Sequence, residues 1–394
     1  MRTDHDLPVR DATRPRAAPD EGEIDAVSIA PDRLAVRGVD LLQLIDSVDF
    51  TAAILHVLAG RMPDAGDVRA LDRALAATLA DDGPPDDRRL VAQLAGRQRR
   101  PEAFLVAAIA AGLAAGPQAR PVALPDALRG IGQADDVAAG LGIVAALPRL
   151  LAVWRAAAGE GAGGATAGPP PADAARGFSA AVLDCLVDRA PGDAHARLFD
   201  VLLVALHGGF GLVAPTIALP RFSASTYASV DLNLIAGLTG SGPAHVGACS
   251  DATRLFASFV GQAPAAIRER IAQRVQAGDR IPGFGHPLLE RDPRPAALER
   301  HAARLGVDGA AFDAYRAVCE AMRDLRGLPP NIDAAAAAIL LELRVPAVLA
   351  TPVFLFARTP TMLAHALQKK AHPPFGQTRP MARERLAALP KAWI

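Results

Sequence analysis

Along almost the whole chain, Ala, Leu, Arg and Glu recur at helical spacing, and the text is interrupted by Pro and Gly rather than by alternating β-branched runs. Such a pattern makes helices punctuated by turns and leaves little material for a sheet. The expected class is therefore all-α, with short strands only near Ala26-Val27-Ser28-Ile29 and Leu34-Ala35-Val36. A chain of 394 residues buries large cores and should divide into about two or three compact units.

The spacing predicts amphipathic helices over Asp49–Leu58 and Ala65–Leu79, with Met62-Pro63-Asp64 as the stop and the new cap between them. Pro101–Leu113 reads as a strongly apolar helix, and Asp135–Ala158 as a helical stretch broken near Pro148. The Gly-, Ala- and Pro-rich segment 159–173 reads as a flexible surface insertion, after which helices resume through Ala174–Leu206. Further helices are expected over Asp251–Phe259, over Pro264–Ala277 with Pro in its first turn, and over Pro295–Leu305 and Gly309–Leu325.

Composition narrows the function classes. Lys and Arg number 42 and Asp and Glu 42, so a general polyanion partner is not expected and nucleic-acid binding is disfavoured. Residues 1–23 mix Arg, Asp and Pro without an apolar core, which reads as a disordered lead-in rather than a secretory signal or anchor. The longest apolar run, Ala103–Gly116, is short for a bilayer and reads as a buried helix, so no membrane partner is expected. Cys185, Cys249 and Cys319 stand far apart with no CxxC spacing. That argues against a disulfide framework and a zinc site, and fits a reducing cytoplasm.

Three segments carry the chemistry: Gly240-Ser241-Gly242-Pro243-Ala244-His245-Val246-Gly247, Pro282-Gly283-Phe284-Gly285-His286-Pro287 and Pro329-Pro330-Asn331-Ile332-Asp333. Each sets one ionisable side chain beside Gly or Pro, and together they supply two imidazoles and one carboxylate, a general acid/base set. Asp333 opens the apolar run Ala334–Leu341, which places it at a helix N-terminus.

The order GPxH, GFGHP, PPNID resembles the three catalytic signatures of the citrate synthase family. Asp292-Pro293-Arg294, Phe356-Ala357-Arg358-Thr359-Pro360, Ala364-His365-Ala366-Leu367 and Arg379-Pro380 follow in family order, and Arg37–Leu44 looks like the family's RGYDIEDL element. The likeness spans roughly residues 24–394. It implies a citrate synthase-like helical fold: a large domain from residues 24–240 and 341–394, a small one from 241–340, the site in the cleft between them, and a hinge near Gly237–Gly242. The implied reaction joins an acyl-CoA, acetyl-CoA first, to a 2-oxoacid, oxaloacetate first, and then hydrolyses the thioester.

By that resemblance Asp333 is the base at the thioester α-carbon, His245 the donor to the enol oxygen and His286 the acid on the oxoacid carbonyl. Arg294, Arg358 and Arg379 match the oxoacid-binding arginines, Arg379 being lent by the partner of a homodimer. Arg326 and Arg291 are the positions expected to meet CoA phosphates, and Gly283 and Gly285 let the backbone approach the CoA thioester closely. No metal and no permanently bound cofactor is implied; CoA enters as a thioester co-substrate.

One segment departs from the family. Where it has HADHELNASTFAAR with a substrate-binding His, this chain runs from Leu206-His207-Gly208-Gly209-Phe210-Gly211 to Ala214-Pro215-Thr216 and Arg221. Phe210 or Gly211 falls at the His position, while His207 matches the segment's earlier His. Either His207 reaches the substrate through a shifted turn, or the oxoacid pocket has lost a donor, at about 1–3 kcal/mol. Pro287-Leu288-Leu289 also stands where many members carry Arg-Val-Tyr. The alternatives are a citryl-CoA lyase, running the retro-Claisen cleavage on the same groups, and a catalytically silent homologue.

Overall fold

The computed structural model describes residues 24–374 except 30, 82, 115–121, 132, 160–175, 190 and 243. The lead-in 1–23, nearly all of the 159–173 insertion and Arg379 lie outside the described residues. Three short strands, β1 (Asp25–Ser28), β2 (Arg33–Val36) and β3 (Val39–Asp40), form an antiparallel sheet in that order, with Asp25 opposite Val36 and Ala35 opposite Asp40. The remainder is helical, as the pattern predicts.

The first helices are α1 (Leu41–Ser47), α2 (Phe50–Ala59), α3 (Ala65–Leu79), α4 (Pro85–Arg97), α5 (Pro101–Ala110), α6 (Asp126–Arg129) and α7 (Ala134–Ala158). Asp40, Asp49 and Asp64 cap α1, α2 and α3 by accepting backbone N–H bonds with their carboxylates. α5 stops short of the expected Leu113 because Gly112 takes the left-handed conformation at φ 71° and turns the chain out. The break expected near Pro148 does not occur: α7 runs through it. Proline forfeits one rung of the ladder, but nearly every residue from Gly140 to Leu151 is buried, and α3, α4 and α17 (Ala350–Lys370) pack along the helix. Tertiary burial outweighs the local preference.

α8 (Phe178–Leu186), α9 (Asp193–Leu206), α10 (Pro215–Ala224) and α11 (Val230–Thr239) lead to α12 (Gly247–Ala257), α13 (Pro264–Gln276), α14 (Arg294–Leu305), α15 (Ala310–Arg326) and α16 (Ile332–Glu342). Every residue of α17 from Ala350 to Leu367 is buried, and α2, α7, α9, α10, α11 and α12 surround it. In α16, Ala334–Ala338 are fully buried; their methyl side chains let α12, α14 and α15 pack closely around the helix that begins at Asp333.

Beyond the short apolar run Ala103–Gly116, two helical stretches among the described residues, Ala134–Ala158 and Ala347–Lys370, have the length and composition to cross a bilayer. Of their apolar windows, 78% and 89% is buried inside the protein, which makes them core helices here. Cys185, Cys249 and Cys319 are all free thiols.

Candidate active site

Two of the three motif segments are stitched to each other. The Gly285 amide donates to the Pro329 carbonyl at 3.0 Å, the Asn331 amide to the Gly283 carbonyl at 2.9 Å, and Asn331 Nδ2 to the Gly285 carbonyl at 2.8 Å. The turn needs glycine. Gly283 has φ 89°, and a Cβ there would stand 2.8 Å from Ala334 Cβ. Asn331 also caps α16 by accepting the Asp333 N–H at 2.9 Å, so Asp333 lies in the first turn of α16 while Asn331 does the capping.

Asp333 is half-buried and faces the cavity. Burial, with nearby Asp292, pushes its carboxyl up to about 7, against the pull of Arg294, Arg358 and Arg280. Asp292 is itself spent structurally. Its carboxylate accepts from Arg294 Nε at 2.9 Å and Nη2 at 2.7 Å and from the Ile332 amide at 2.9 Å, in a pair with no exposed surface.

The two imidazoles are held in different states. His286 Nδ1 accepts the amides of Leu288 at 3.1 Å and Leu289 at 3.0 Å, which requires a lone pair there and leaves a neutral ring with its proton on Nε2. Burial, then the Arg294 guanidinium, lowers its pKa and favours that neutral donor. His245 sits in the turn ahead of α12 with Nδ1 3.0 Å from the Gly240 carbonyl. A carbonyl only accepts, so the proton is on Nδ1, and Nε2 becomes a donor only when the ring is an imidazolium. Burial lowers its pKa, Arg358 lowers it further, and the Gly240 bond opposes both.

His245, His286 and Asp333 line one cavity of about 1140 Å³, together with Arg294, Arg358, Gly283, Gly285 and Phe210. Arg294 keeps Nη1 buried without a hydrogen-bond partner among the described residues. Arg358 reaches in from α17, 4.7 Å over the Phe354 ring; burial, with Arg294 nearby, pushes its pKa down to about 10. Phe210 stacks on the His286 ring, centroids 5.2 Å apart and planes at 21°, and the Arg294 guanidinium carbon lies 5.0 Å from its centroid.

The loop carrying Phe210 is clasped by β1. Asp25 Oδ2 accepts the amides of Gly209 at 2.7 Å and Phe210 at 3.1 Å, and its Oδ1 accepts His365 Nε2 at 2.7 Å. These bonds hold the Asp25 pKa at about 2 in spite of burial. Gly211 is pressed against the same strand, where a Cβ would stand 2.7 Å from the Asp25 carbonyl.

A family model described as "Citrate synthase, C-terminal domain" matches residues 20–381. The chain belongs to the citrate synthase family. It is 30% identical over 188 residues to a citrate synthase of Haloferax volcanii, covering 45% of this chain and 48% of that protein. With a 2-methylcitrate synthase of Shewanella oneidensis it shares 29% over 196 residues, 48% and 51% of the two chains, so these matches span about half the length of either relative. A citrate/2-methylcitrate synthase of Bacillus subtilis is 23% identical over 369 residues, 89% of this chain and 90% of that one. Among solved structures, the citrate synthase of Pyrobaculum aerophilum superposes with a TM-score of 0.70 at 19% identity, covering 90% of this chain and 87% of the other. These superpositions establish the all-α citrate synthase fold.

Several expected site residues stand elsewhere. His207 does not line the cavity: it is fully buried, its Nδ1 is bonded to the Val204 carbonyl at 2.6 Å, and burial drops its pKa to about 4. The Gly-rich turn that follows is committed to Asp25 and offers it no path inward. Arg326 is exposed and donates to the Val275 carbonyl at 3.2 Å, while exposed Arg291 docks its amide on Asp32; neither side chain reaches the cavity. The basic rim is made instead by Arg254, Arg270, Arg274 and Arg280. Arg270 and Arg274 are one turn apart on α13, and Arg280 stands two residues before Pro282, a spacing that points toward the motif but looks the same as a solvated helix face.

Gly283→Ala adds a side chain at positive φ against Ala334. It is expected to lower unfolding stability by about 1–3 kcal/mol, whereas Gly242→Ala, which meets open space, stays within about 0.5 kcal/mol; urea denaturation measures both. Asp25→Asn is expected to cost about 2 kcal/mol at neutral pH. Because the folded pKa lies below the unfolded one, that contribution is complete above about pH 4 and fades as pH falls toward 2. The stability gap between wild type and Asp25→Asn should therefore be flat from pH 5 to 8 (roughly the range where both pKa values are passed) and shrink in acid.

Proposed function

We propose that the chain condenses an acyl-CoA with a 2-oxoacid and then hydrolyses the thioester, releasing CoA. The observation that carries this reading is the meeting of Asp333, His245 and His286 with Arg294 and Arg358 in one cavity. Asp333, a stronger base for having its pKa lifted to about 7, takes the proton from the thioester α-carbon. His245, as the imidazolium, gives its Nε2–H to the thioester oxygen as charge gathers there. The α-carbon then attacks the ketone, whose oxygen is stabilised by the Nε2–H of neutral His286 as charge gathers on it and is then protonated by water. Arg294 Nη1 and Arg358 hold carboxylate, and Arg254, Arg270, Arg274 and Arg280 meet the CoA phosphates.

Acetyl-CoA with oxaloacetate is the first pair to assay, given the names of the relatives, with propionyl-CoA beside it. Movement of residues 241–340 against 24–240 and 341–394 about Gly237–Gly242 would exclude water from the enol. The compartment that three free thiols suit is the cytoplasm.

A second copy of the chain is the proposed partner. Leu212, Val213, Leu219, Phe222, Tyr227 and Leu232 are large exposed hydrophobics gathered on α10, α11 and the turns beside them, with Phe222 79% exposed. Grouped so, they form the kind of face that a homodimer buries, and Arg379 would be lent across it. Phe222→Asp is expected to shift the mass in light scattering from dimer to monomer.

The function is tested by following thiol release with acetyl-CoA plus a 2-oxoacid, and acetyl-CoA formation from citryl-CoA. Thiol release only with the first pair supports the synthase, acetyl-CoA from citryl-CoA without thiol points to a lyase, and no turnover with any substrate sinks both. Asp333→Asn should lower kcat at least about 10³-fold. Activity needs Asp333 ionised and His245 protonated, so kcat/KM should rise as acid is removed, peak between the lowered His245 value and about 7, and fall above it. A profile that climbs through 7 to a plateau would remove the imidazolium from the mechanism.

A further inference from the structure

Phe210 occupies the corner of the cavity where three groups meet. Its ring lies face to face with His286 at 5.2 Å and 21°, and the Arg294 guanidinium carbon is 5.0 Å from its centroid. The wall between the ketone-facing imidazole and the carboxylate-binding cation is thus an aromatic face with no hydrogen-bond donor. Val213 and Ala214, next along the same loop, continue the cavity lining with further apolar surface.

Donor supply on this side of the cavity is limited. Arg294 gives Nε and Nη2 to Asp292, leaving Nη1 for a ligand. His207, the nearest other polar ring in sequence, is locked on the Val204 carbonyl outside the cavity. The Phe210 backbone is equally committed, its amide held by Asp25, so the ring cannot be exchanged for His207 by a small shift of the turn.

We propose that Phe210 makes the site selective for a 2-oxoacid with one carboxylate and an apolar tail, the carboxylate on Arg294 Nη1 and Arg358 and the alkyl group against the Phe210 face. A second carboxylate placed against that face loses water and gains no donor from the described residues, whereas an alkyl group gains by burial. The inference rests on the condensing function proposed above and names the substrate class of the same cavity.

The test is equilibrium binding of 2-oxobutyrate and of oxaloacetate to the full chain by titration calorimetry, which needs no turnover. Wild type should bind 2-oxobutyrate at least tenfold more tightly than oxaloacetate. Phe210→His, which restores a donor, should move that ratio at least tenfold toward oxaloacetate, and Phe210→Leu, apolar and donorless, should keep the wild-type order; circular dichroism checks that each variant is folded. Tighter binding of oxaloacetate by wild type, or a ratio that Phe210→His leaves in place, overturns the proposal. Solvent deuterium entry at the acetyl-CoA α-carbon is followed separately: its absence with every oxoacid counts against the condensing function, while the binding ratio still decides the role of Phe210.

Discussion

The site depends on a short stitch between two turns. Asn331 donates its amide to the Gly283 carbonyl and its side-chain N–H to the Gly285 carbonyl, and its side-chain oxygen accepts the Asp333 amide, so one residue fixes both the turn before His286 and the start of α16. Segments 46 residues apart thereby become one rigid unit. Asp292 extends it by joining the Ile332 amide to Arg294. An imidazole, a carboxylate and a guanidinium are then placed relative to one another by backbone geometry rather than by flexible side chains, which is what acid/base chemistry on a weakly acidic carbon needs.

That rigidity has an electrostatic consequence. Three arginines act on Asp333, yet its pKa rises, because burial and the Asp292 charge outweigh them. Asp292 pairs with Arg294 in a fully enclosed site and offsets part of that arginine's pull on Asp333. With burial setting the direction and Asp292 adding to it, the cavity keeps cationic donors for a carboxylate ligand and still leaves a basic oxygen on Asp333. Burial lowers both histidines, and a nearby guanidinium, Arg358 at His245 and Arg294 at His286, adds to it.

What could be read in the sequence was what local chemistry dictates. α3 spans Ala65–Leu79 as expected, since an Asp cap and an apolar stripe are both local signals. The three motif segments were visible for the same reason: Gly and Pro at fixed offsets mark turns whatever surrounds them. Pro148 misled because a proline's local preference says nothing of the neighbours that bury α7 on several sides. Arg326 and Arg291 stand away from the cavity for local reasons that position along the chain does not carry: Arg326, at the end of α15, turns to the Val275 carbonyl, and Arg291, in the turn ahead of α14, has its amide docked on Asp32. The rim arginines on α13 were hidden among charges that any solvated helix face carries.

The departure around residue 210 joins the beginning of the described chain to the cavity. Counting back from Ala214-Pro215-Thr216 puts Phe210 or Gly211 at the position of the histidine expected from the resemblance, and the alternative, a shifted turn that swings His207 inward, requires the Gly208–Gly211 loop to be free. It is not free. The Asp25 carboxylate, 184 residues away, takes the Gly209 amide, and Gly211 fits against the β1 backbone with no room for a Cβ. A low Asp25 pKa means the clasp stays charged through the physiological range. The aromatic wall beside His286 is therefore not a loose loop caught in one pose; the first strand of the sheet builds it into the cavity, and among the described residues no donor stands on the Phe210 face in place of a histidine.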